Sequence, residues 1–518
     1  MLLHEILELA VADRPDALAL VGDGRRLTFG ELASRVEHLS QLVERTCASG
    51  DRVVLVSDNH VDVVVALYAV PRAGAVLTFA NTRHTGDELA DLITTTTPSL
   101  VVAAPTHLDR LLASWTPDPA DAPRIWTIGG SHGAAGIDVT ASLDGDEPHA
   151  VAPSPPLDPG TCAWLIHTSG STGRPKGVEL THSSLLAAVL NTAVGRPLSD
   201  DDVYLFPFPL FHVAAYNVLH AHLRRRPVVL VPRFDAAHTL EVIAAEGVTS
   251  CSLAPTMLAM LLDHAGDRAA RQLTGLRQIS YGASAMPLEL LRRVARELPD
   301  CGLAQGYGMT ELSGNAVFLG PEEHRRAALD RPDLLGAAGR PGPLVALRIV
   351  DDDGRELPTG DAGEIWVRGD QVCAGYWRDP AATQASRVGP WLRTGDVGRI
   401  DELGLLHVVD RKKDLIITGG ENVASREVED HLGAHPAVAQ VAVVGVPDAR
   451  WGESVCAVVV ARAGHAVEPD DLVGWTDGRM AGFKRPRRVV VLDELPTNAS
   501  GKVDKVALRS ALSAGPPR

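Results

Sequence analysis

At 518 residues the chain is too long for one ordinary core and calls for two or more domains. A composition 45% hydrophobic and 22% charged is that of a soluble globular protein, and a formal net charge of −16 argues against nucleic acid as a general partner and gives no sign of a polybasic membrane anchor. No apolar run nears the ~20 residues that span a bilayer, residues 1–8 carry acids and no basic signal-peptide start, and six scattered cysteines with no C-x-x-C pair suit buried thiols in a reducing cytoplasm and disfavour zinc.

The N-terminal region alternates helices and strands. A helix and a strand at residues 17–21 precede the Asp23-Gly24 turn. Thr28-x-x-Glu31 is a capping box, and Leu32, Val36, Leu39 and Val43 then share a helical face. Residues 52–56 form an apolar strand, Asn59 caps a helix over 61–70, and residues 71–74 stop it. Strands follow at 75–78 and 100–103; residues 116–160, rich in Pro, Gly and Asp, form a long surface connection. The rhythm resumes with strands at 162–166, 204–206, 228–231, 251–253 and 278–281. It predicts parallel sheets covered by helices. From about residue 336, Gly-rich turns separate short alternating runs at 346–350, 364–368, 398–400 and 405–409, a small β-barrel or β-sheet sub-domain reaching to about 410. Asp410-Arg411-Lys412-Lys413-Asp414 is a charged break. Beyond it, helices at 425–432 and 469–475 and strands at 438–446, 455–460 and 488–492 suffice for a compact α+β domain over 411–518.

The chemistry gathers first at His167-Thr168-Ser169-Gly170-Ser171-Thr172-Gly173-Arg174-Pro175-Lys176-Gly177-Val178, between the 162–166 strand and a helix from Ser183. Glycines let backbone N–H groups approach an anion, and four hydroxyls and Lys176 add donors and charge, so this is a phosphate cradle. It is not a Walker A loop: five residues on from Gly170 stands Pro175, and Lys176 is followed by Gly177. Further on come Pro209-Leu210-Phe211-His212, Tyr281-Gly282-Ala283-Ser284, Gln305-Gly306-Tyr307-Gly308-Met309-Thr310-Glu311, Thr394-Gly395-Asp396, Gly419-Gly420-Glu421-Asn422 and Leu495-Pro496-Thr497-Asn498-Ala499-Ser500-Gly501-Lys502-Val503-Asp504-Lys505. Taken alone, His212 reads as a core histidine and residues 281–287 as a βα turn. Residues 306–308 read as a Gly-Tyr-Gly turn. Glu311 is a hard oxygen ligand suited to Mg²⁺.

In this order the motifs resemble those of the adenylate-forming superfamily, which includes acyl-CoA synthetases, peptide-synthetase adenylation domains and beetle luciferases. The cradle resembles T-S-G-[ST]-T-G-x-P-K-G-V, residues 307–311 resemble Y-G-x-T-E, and residues 495–505 resemble L-P-x-T-x-x-G-K-x-x-K. The resemblance covers essentially the whole chain and points to the acyl-CoA ligase branch. It implies an α/β fold: a large N-terminal domain of two αβ layers over 1–410 and a small mobile α+β C-terminal domain over 411–518. It implies ATP, Mg²⁺ and coenzyme A as cofactors and a small carboxylic acid as substrate.

Residue by residue, the resemblance implies that Thr168, Ser169, Gly170, Ser171, Thr172, Gly173 and Lys176 hold the β- and γ-phosphates. Gly282, Ala283, Ser284 and Tyr307 surround adenine, Thr310 binds the α-phosphate, Glu311 binds the metal, and Asp396 and Arg411 bind ribose. Lys502 is the adenylation lysine, Lys413 the hinge, and Gly419, Gly420 and Glu421 belong to the loop that approaches the pantetheine thiol after a rotation of the C-terminal domain. His212 gates an acid pocket formed with Val213, Tyr216, Asn217, Tyr281, Gly306 and Met309. A P-L-F-H segment in place of an aspartate points to an acid without an ammonium group. Small residues at Ala214, Ala215, Gly282 and Ala283 leave room for a fatty acid or a bulky natural-product acid, with an aryl acid left open. Many members have proline where this chain has Ser425, a departure expected to be tolerated. The basic run at 484–488 suits CoA phosphates and a solvated face equally. The chain ends soon after the lysine motif, which favours a free thiol acceptor; a carrier protein is the alternative, a non-catalytic ligand-binding homologue is a second, and a homodimer is left open.

Overall fold

A computed structural model describes residues 1–116, 122–145, 156–168, 175–282, 286–419, 421–448, 450–497 and 503–513. The chain divides into two compact units, Met1–Leu347 with Val367–Leu392, and Arg348–Trp366 with Arg393–Arg518.

The first unit holds two large sheets. One has nine strands in the order 340–341, 314–319, 302–309, 278–282, 250–253, 204–206, 228–230, 18–22 and 25–28. Its interior pairs are parallel; the two edges are antiparallel hairpins. The other has eight, in the order 375–376, 176–181, 162–168, 76–79, 52–56, 100–103, 124–127 and 137–138. Helices alternate with the parallel strands, as crossover connections require. One apolar cluster joins residues of both sheets, with Trp164, Tyr68, Tyr204 and Phe206 among its largest fully buried side chains. The Thr28–Glu31 capping box forms, and Leu32, Val36, Leu39 and Val43 all face this core.

Five expectations need correction. His60, not Asn59, caps the helix Val61–Arg72; Asn59 instead donates to the carbonyls of Phe208 and Val231 and accepts from Leu210 N. Pro71 lies inside that helix's last turn. Within 116–160, the strands Arg124–Thr127 and Ile137–Asp138 and the helix Val139–Leu143 extend the eight-stranded sheet, so this stretch is more than a surface connection. The phosphate cradle does not join a strand to a helix. Lys176–Thr181 is a strand paired antiparallel with Cys162–Thr168, so the cradle tips a β-hairpin. Finally, Gly306, Tyr307 and Gly308 lie in the strand Gly302–Met309 rather than in a turn.

A half-barrel sheet orders Val345–Val350, Gly363–Gly369, Trp391–Ile400 and Arg387–Val388, with Leu406–Arg411 also paired to Trp391–Ile400. In the second unit the C-terminal region carries another sheet, ordered 421–423, 416–418, 452–461 and 438–448, with 488–492 parallel to 452–461. Helices Ser425–Gly433, Pro469–Trp475 and Lys505–Ser513 accompany it, and separate apolar clusters around Val443 and Val444 lie on its two faces. The helix Lys505–Ser513 and the short strands at 416–418 and 421–423 were not anticipated.

Candidate active site

In the first unit Thr168 pairs with Lys176 at the end of the hairpin stem, so the cradle's two ends are held side by side. Ser169, Gly170, Ser171, Thr172 and Gly173 lie outside the described residues, as do Ala283 and Ser284. Lys176 Nζ stands 5.3 Å from the Tyr376 ring centroid. The Tyr376 hydroxyl donates to Glu311 Oε1 at 3.0 Å. The hairpin lysine, a phenol and the expected metal carboxylate therefore form one contiguous row. Burial and the neighbouring Glu311 carboxylate push the Tyr376 phenol well up, so it stays a donor at neutral pH. Tyr376 was missed in the sequence, because nothing local marks a tyrosine brought in by the two-residue strand Gly375–Tyr376 pairing with Val178 and Glu179.

Glu311 is buried, in a 3₁₀ turn Thr310–Leu312 that ends at Ser313 with φ 55°. Its carbonyl accepts from Cys373 N at 2.8 Å. The strand leading into the turn must pass unusually close to its antiparallel neighbour. A Cβ on Gly308 would lie 2.0 Å from the Gly314 carbonyl oxygen, and one on Gly306 would lie 2.2 Å from the Asn315 amide. Tyr307, Met309 and Thr310 are half-buried beside them.

The expected acid-pocket residues split into two kinds. His212, half-buried with its ring 4.6 Å from that of Phe211, and Val213 sit where the loop enters a 3₁₀ turn. Tyr216, Asn217 and Tyr281 are buried, and their polar groups are engaged. Tyr216 Oη accepts from Thr192 and Asn315 N, Asn217 Oδ1 accepts from Arg196, and the Tyr281 hydroxyl meets His324 Nε2 at 2.7 Å.

In the second unit Asp396 and Arg411 are cross-strand partners, Nε to Oδ1 3.4 Å, with Asp396 buried and Gly395 before it at φ 73°. Lys413 is exposed in the following turn. Gly419, at φ 62°, donates its N–H to the Trp451 carbonyl and packs against that indole; Glu421 is exposed. Gly420 and Lys502 lie outside the described residues. The stem around the lysine loop is described: Thr497 bridges Val503, and Asp504 N donates to Pro496 O at 2.8 Å. Behind it runs a polar chain unread in the sequence. Lys505 Nζ reaches Glu429 Oε1 and Ser425 Oγ, both at 2.7 Å, and Ser425 donates N–H and O–H to Asp410 Oδ2 at 2.6 and 2.7 Å. Arg509 pairs with Asp414 at 2.7 Å.

All six cysteines are free. Burial is the main cause that raises every thiol: Cys47 and Cys456 to about 11, Cys301 and Cys373 to about 12, and Cys162 and Cys251 further. Among the described residues no three His, Cys, Asp or Glu side chains group as a metal cage. Mg²⁺ needs none. It is commonly held by one or two carboxylates with substrate phosphates and water, and Glu311, joined through Tyr376 to the hairpin expected to bind phosphate, fits that pattern. No helix among the described residues is long and apolar enough to cross a membrane.

The AMP-binding enzyme family matches residues 7–377, and the AMP-binding enzyme C-terminal domain matches residues 427–502. The chain is 35% identical to an indoleacetate–CoA ligase of Aromatoleum aromaticum over 99% of its own length and 98% of that protein's. It is 36% identical to a feruloyl-CoA synthase of an Amycolatopsis species, over 96% of each. The amide bond synthetase McbA of Marinactinospora thermotolerans superposes with a TM-score of 0.88 at 30% identity, covering 98% of this chain and 99% of that one. The chain therefore belongs to the AMP-binding enzyme family, in the acyl-CoA ligase branch of the adenylate-forming superfamily. It is an ATP-dependent, AMP-forming acid–CoA ligase.

Proposed function

We propose that the acid activated has a hydrophobic body, aromatic or aliphatic, and that Lys502, Thr310, Glu311 and the 168–176 hairpin carry its adenylation. The contiguous row Lys176–Tyr376–Glu311 supports this reading most directly, because one tyrosine touches both the hairpin lysine and a buried carboxylate. The similarity to ligases named for indoleacetate and feruloyl supports an aromatic or otherwise apolar body.

In the first half-reaction a carboxylate oxygen attacks the α-phosphorus of ATP, the α–β phosphoanhydride bond breaks, and pyrophosphate leaves. Two anions must meet, so prepositioned cations dominate the catalysis. Lys176 and the cradle hold the leaving pyrophosphate; Lys502 stands between carboxylate and α-phosphate. Glu311 would hold Mg²⁺, which neutralises phosphate charge when bound. Asp396, fixed by its strand pairing with Arg411, accepts from the ribose hydroxyls. Adenine lies against Tyr307 and Gly282 with Ala283 and Ser284, and His212 gates the acid. In the second half-reaction the CoA thiol attacks the acyl carbon, loses its proton, and AMP departs. Gly419, Gly420 and Glu421 guide that thiol after rotation at Lys413. CoA is the favoured acceptor over a carrier protein, and the reading places the enzyme in the cytoplasm.

The experiment is Lys502→Ala. Acid-dependent pyrophosphate exchange should be lost, while thioester formation from supplied acyl-adenylate persists. Wild-type exchange in the variant would remove Lys502 from this role.

A further inference from the structure

We infer that Arg196 recognises an oxygen acceptor at the far end of the acid, so that the substrate is a hydrophobic acid with a distal carboxylate, carbonyl or phenolic oxygen. The inference rests on the acid pocket proposed above and adds its polar floor.

Arg196 follows the helix His182–Gly195 and is 5% exposed. Among the described residues no carboxylate pairs with it. Nη1 donates to Ser252 Oγ at 3.1 Å and Nη2 to Asn217 Oδ1, while Nε is buried with no hydrogen-bond partner. The Tyr204 ring lies 6.0 Å from centroid to guanidinium. A buried cation satisfied only by neutral groups is costly unless something anionic or electron-rich arrives.

Its surroundings are incomplete in the same way. His220 is fully buried and neither ring nitrogen has a partner; burial, then Arg196, drives its pKa well below the ordinary value, so it is neutral. Ser280 Oγ is buried and unpartnered too. Ser252 and Ser280 are directly opposite on neighbouring parallel strands.

Strand geometry connects this cluster to the site. Alternate residues of a strand share a face, so Ser280 faces the same side as Gly282. Ala304 and Gly306 pair with Ser280 and Gly282 and share that side. Asn217, an expected acid-pocket residue, accepts from Arg196. Gly282 and Gly306 stand at the end of this side toward the expected acid and adenine site. Ser252 and Ser280 lie two residues further along it, about 7 Å. An acid with its reactive carboxylate at the glycine end would send its tail toward the guanidinium.

The test compares matched acids: cinnamate with 4-hydroxycinnamate and 4-carboxycinnamate, and octanoate with octanedioate. AMP release gives kcat/KM, and calorimetric titration into enzyme loaded with α,β-methylene-ATP, whose α–β bridge does not cleave, reads binding without turnover. In the wild type at least one oxygen-bearing acid should exceed its apolar partner by about tenfold or more, the scale of a hydrogen bond to a charged group. Arg196→Met should bring that ratio to one or below with KM for ATP unchanged, and Arg196→Lys should restore part of it. Ser280→Ala, which threatens the fold less, should lower the ratio in the same direction. A wild-type ratio of one or less in every pair, or an Arg196→Met that leaves the ratio unchanged, overturns the inference. The hydroxyl and carboxyl arms separate a neutral from an anionic tail. Absence of AMP release with every acid, despite selective binding, would instead count against the proposed catalytic reading.

Discussion

Single residues in this chain are constrained by backbone approach as much as by chemistry. Gly308 sits in a motif whose neighbours are the expected nucleotide contacts, yet its own role is spatial. A methyl group there meets the Gly314 carbonyl oxygen at 2.0 Å and the Asn315 Cα at 2.7 Å. Backbone atoms on the paired strand cannot swing aside as a side chain can. Gly308→Ala should therefore destabilise the first unit by about 3 kcal/mol, and Tm should fall together with AMP release. Gly474→Ala is the control. It lies in the helix Pro469–Trp475 with nothing within 4 Å of the added carbon, and should be neutral to stabilising by up to about 1 kcal/mol. Asn59 teaches the complementary lesson. Its position before a helix suggests a cap, whereas its amide ties together the loops after two distant strands. Local propensity cannot register partners about 150 residues away.

At the scale of elements, Ser425 opens a helix at the first helical position, where proline is compatible with helical geometry. This isolates what the serine does. Its N–H and O–H both go to Asp410, and its oxygen accepts from Lys505. Ser425→Pro keeps the helix and deletes all three bonds. Stability of the second unit should fall by about 1–3 kcal/mol, read as a lower urea midpoint; Ser425→Ala, which keeps the N–H, should lose less. A variant with wild-type midpoint would mean that Asp410 finds equal partners elsewhere. The strands of this region were legible at 438–446 and 455–460 because Val-rich runs favour a buried strand, and they extend to Val438–Asp448 and Gly452–Ala461. The hairpin at 168–176 was not. Glycines and hydroxyls mark a turn that approaches an anion, but whether a strand or a helix follows depends on the pairing of 176–181 with 162–168. The ordered motifs carried most of the expected site, whereas Arg196 and Tyr376 matter through tertiary placement alone, and the partners of Ser425 and Lys505 were not legible.

For the whole molecule, the buried histidines set the response to acid. Desolvation lowers His4, His182 and His222 to about 4 from an ordinary 6.5. His222 is held neutral by geometry as well. One ring nitrogen donates to the Ala19 carbonyl, leaving the other to accept from Tyr68. Between pH 6.5 and 4 the unfolded chain binds protons that the folded chain refuses, so stability rises with pH across that window and is lost as pH falls. Each such histidine contributes at most about 3 kcal/mol. Buried acids whose pKa is raised, Glu179 and Glu429 among them, act in the opposite sense, but the histidine shifts dominate the window. Thermal unfolding of the ligand-free chain at pH 7, 6 and 5 should show Tm falling stepwise with acid; a flat or rising profile would contradict this assignment.

The six raised thiols have a consequence for an enzyme that makes a mixed anhydride. Acyl-adenylates react with thiolates indiscriminately, and Cys373 donates its backbone N–H to the carbonyl of Glu311 itself. At neutral pH a thiol whose pKa is about 12 is almost never ionised, so Cys373 offers the intermediate no competing thiolate. Burial of these side chains thus protects the catalyst from acylating its own thiols and leaves the incoming acceptor as the thiol that counts.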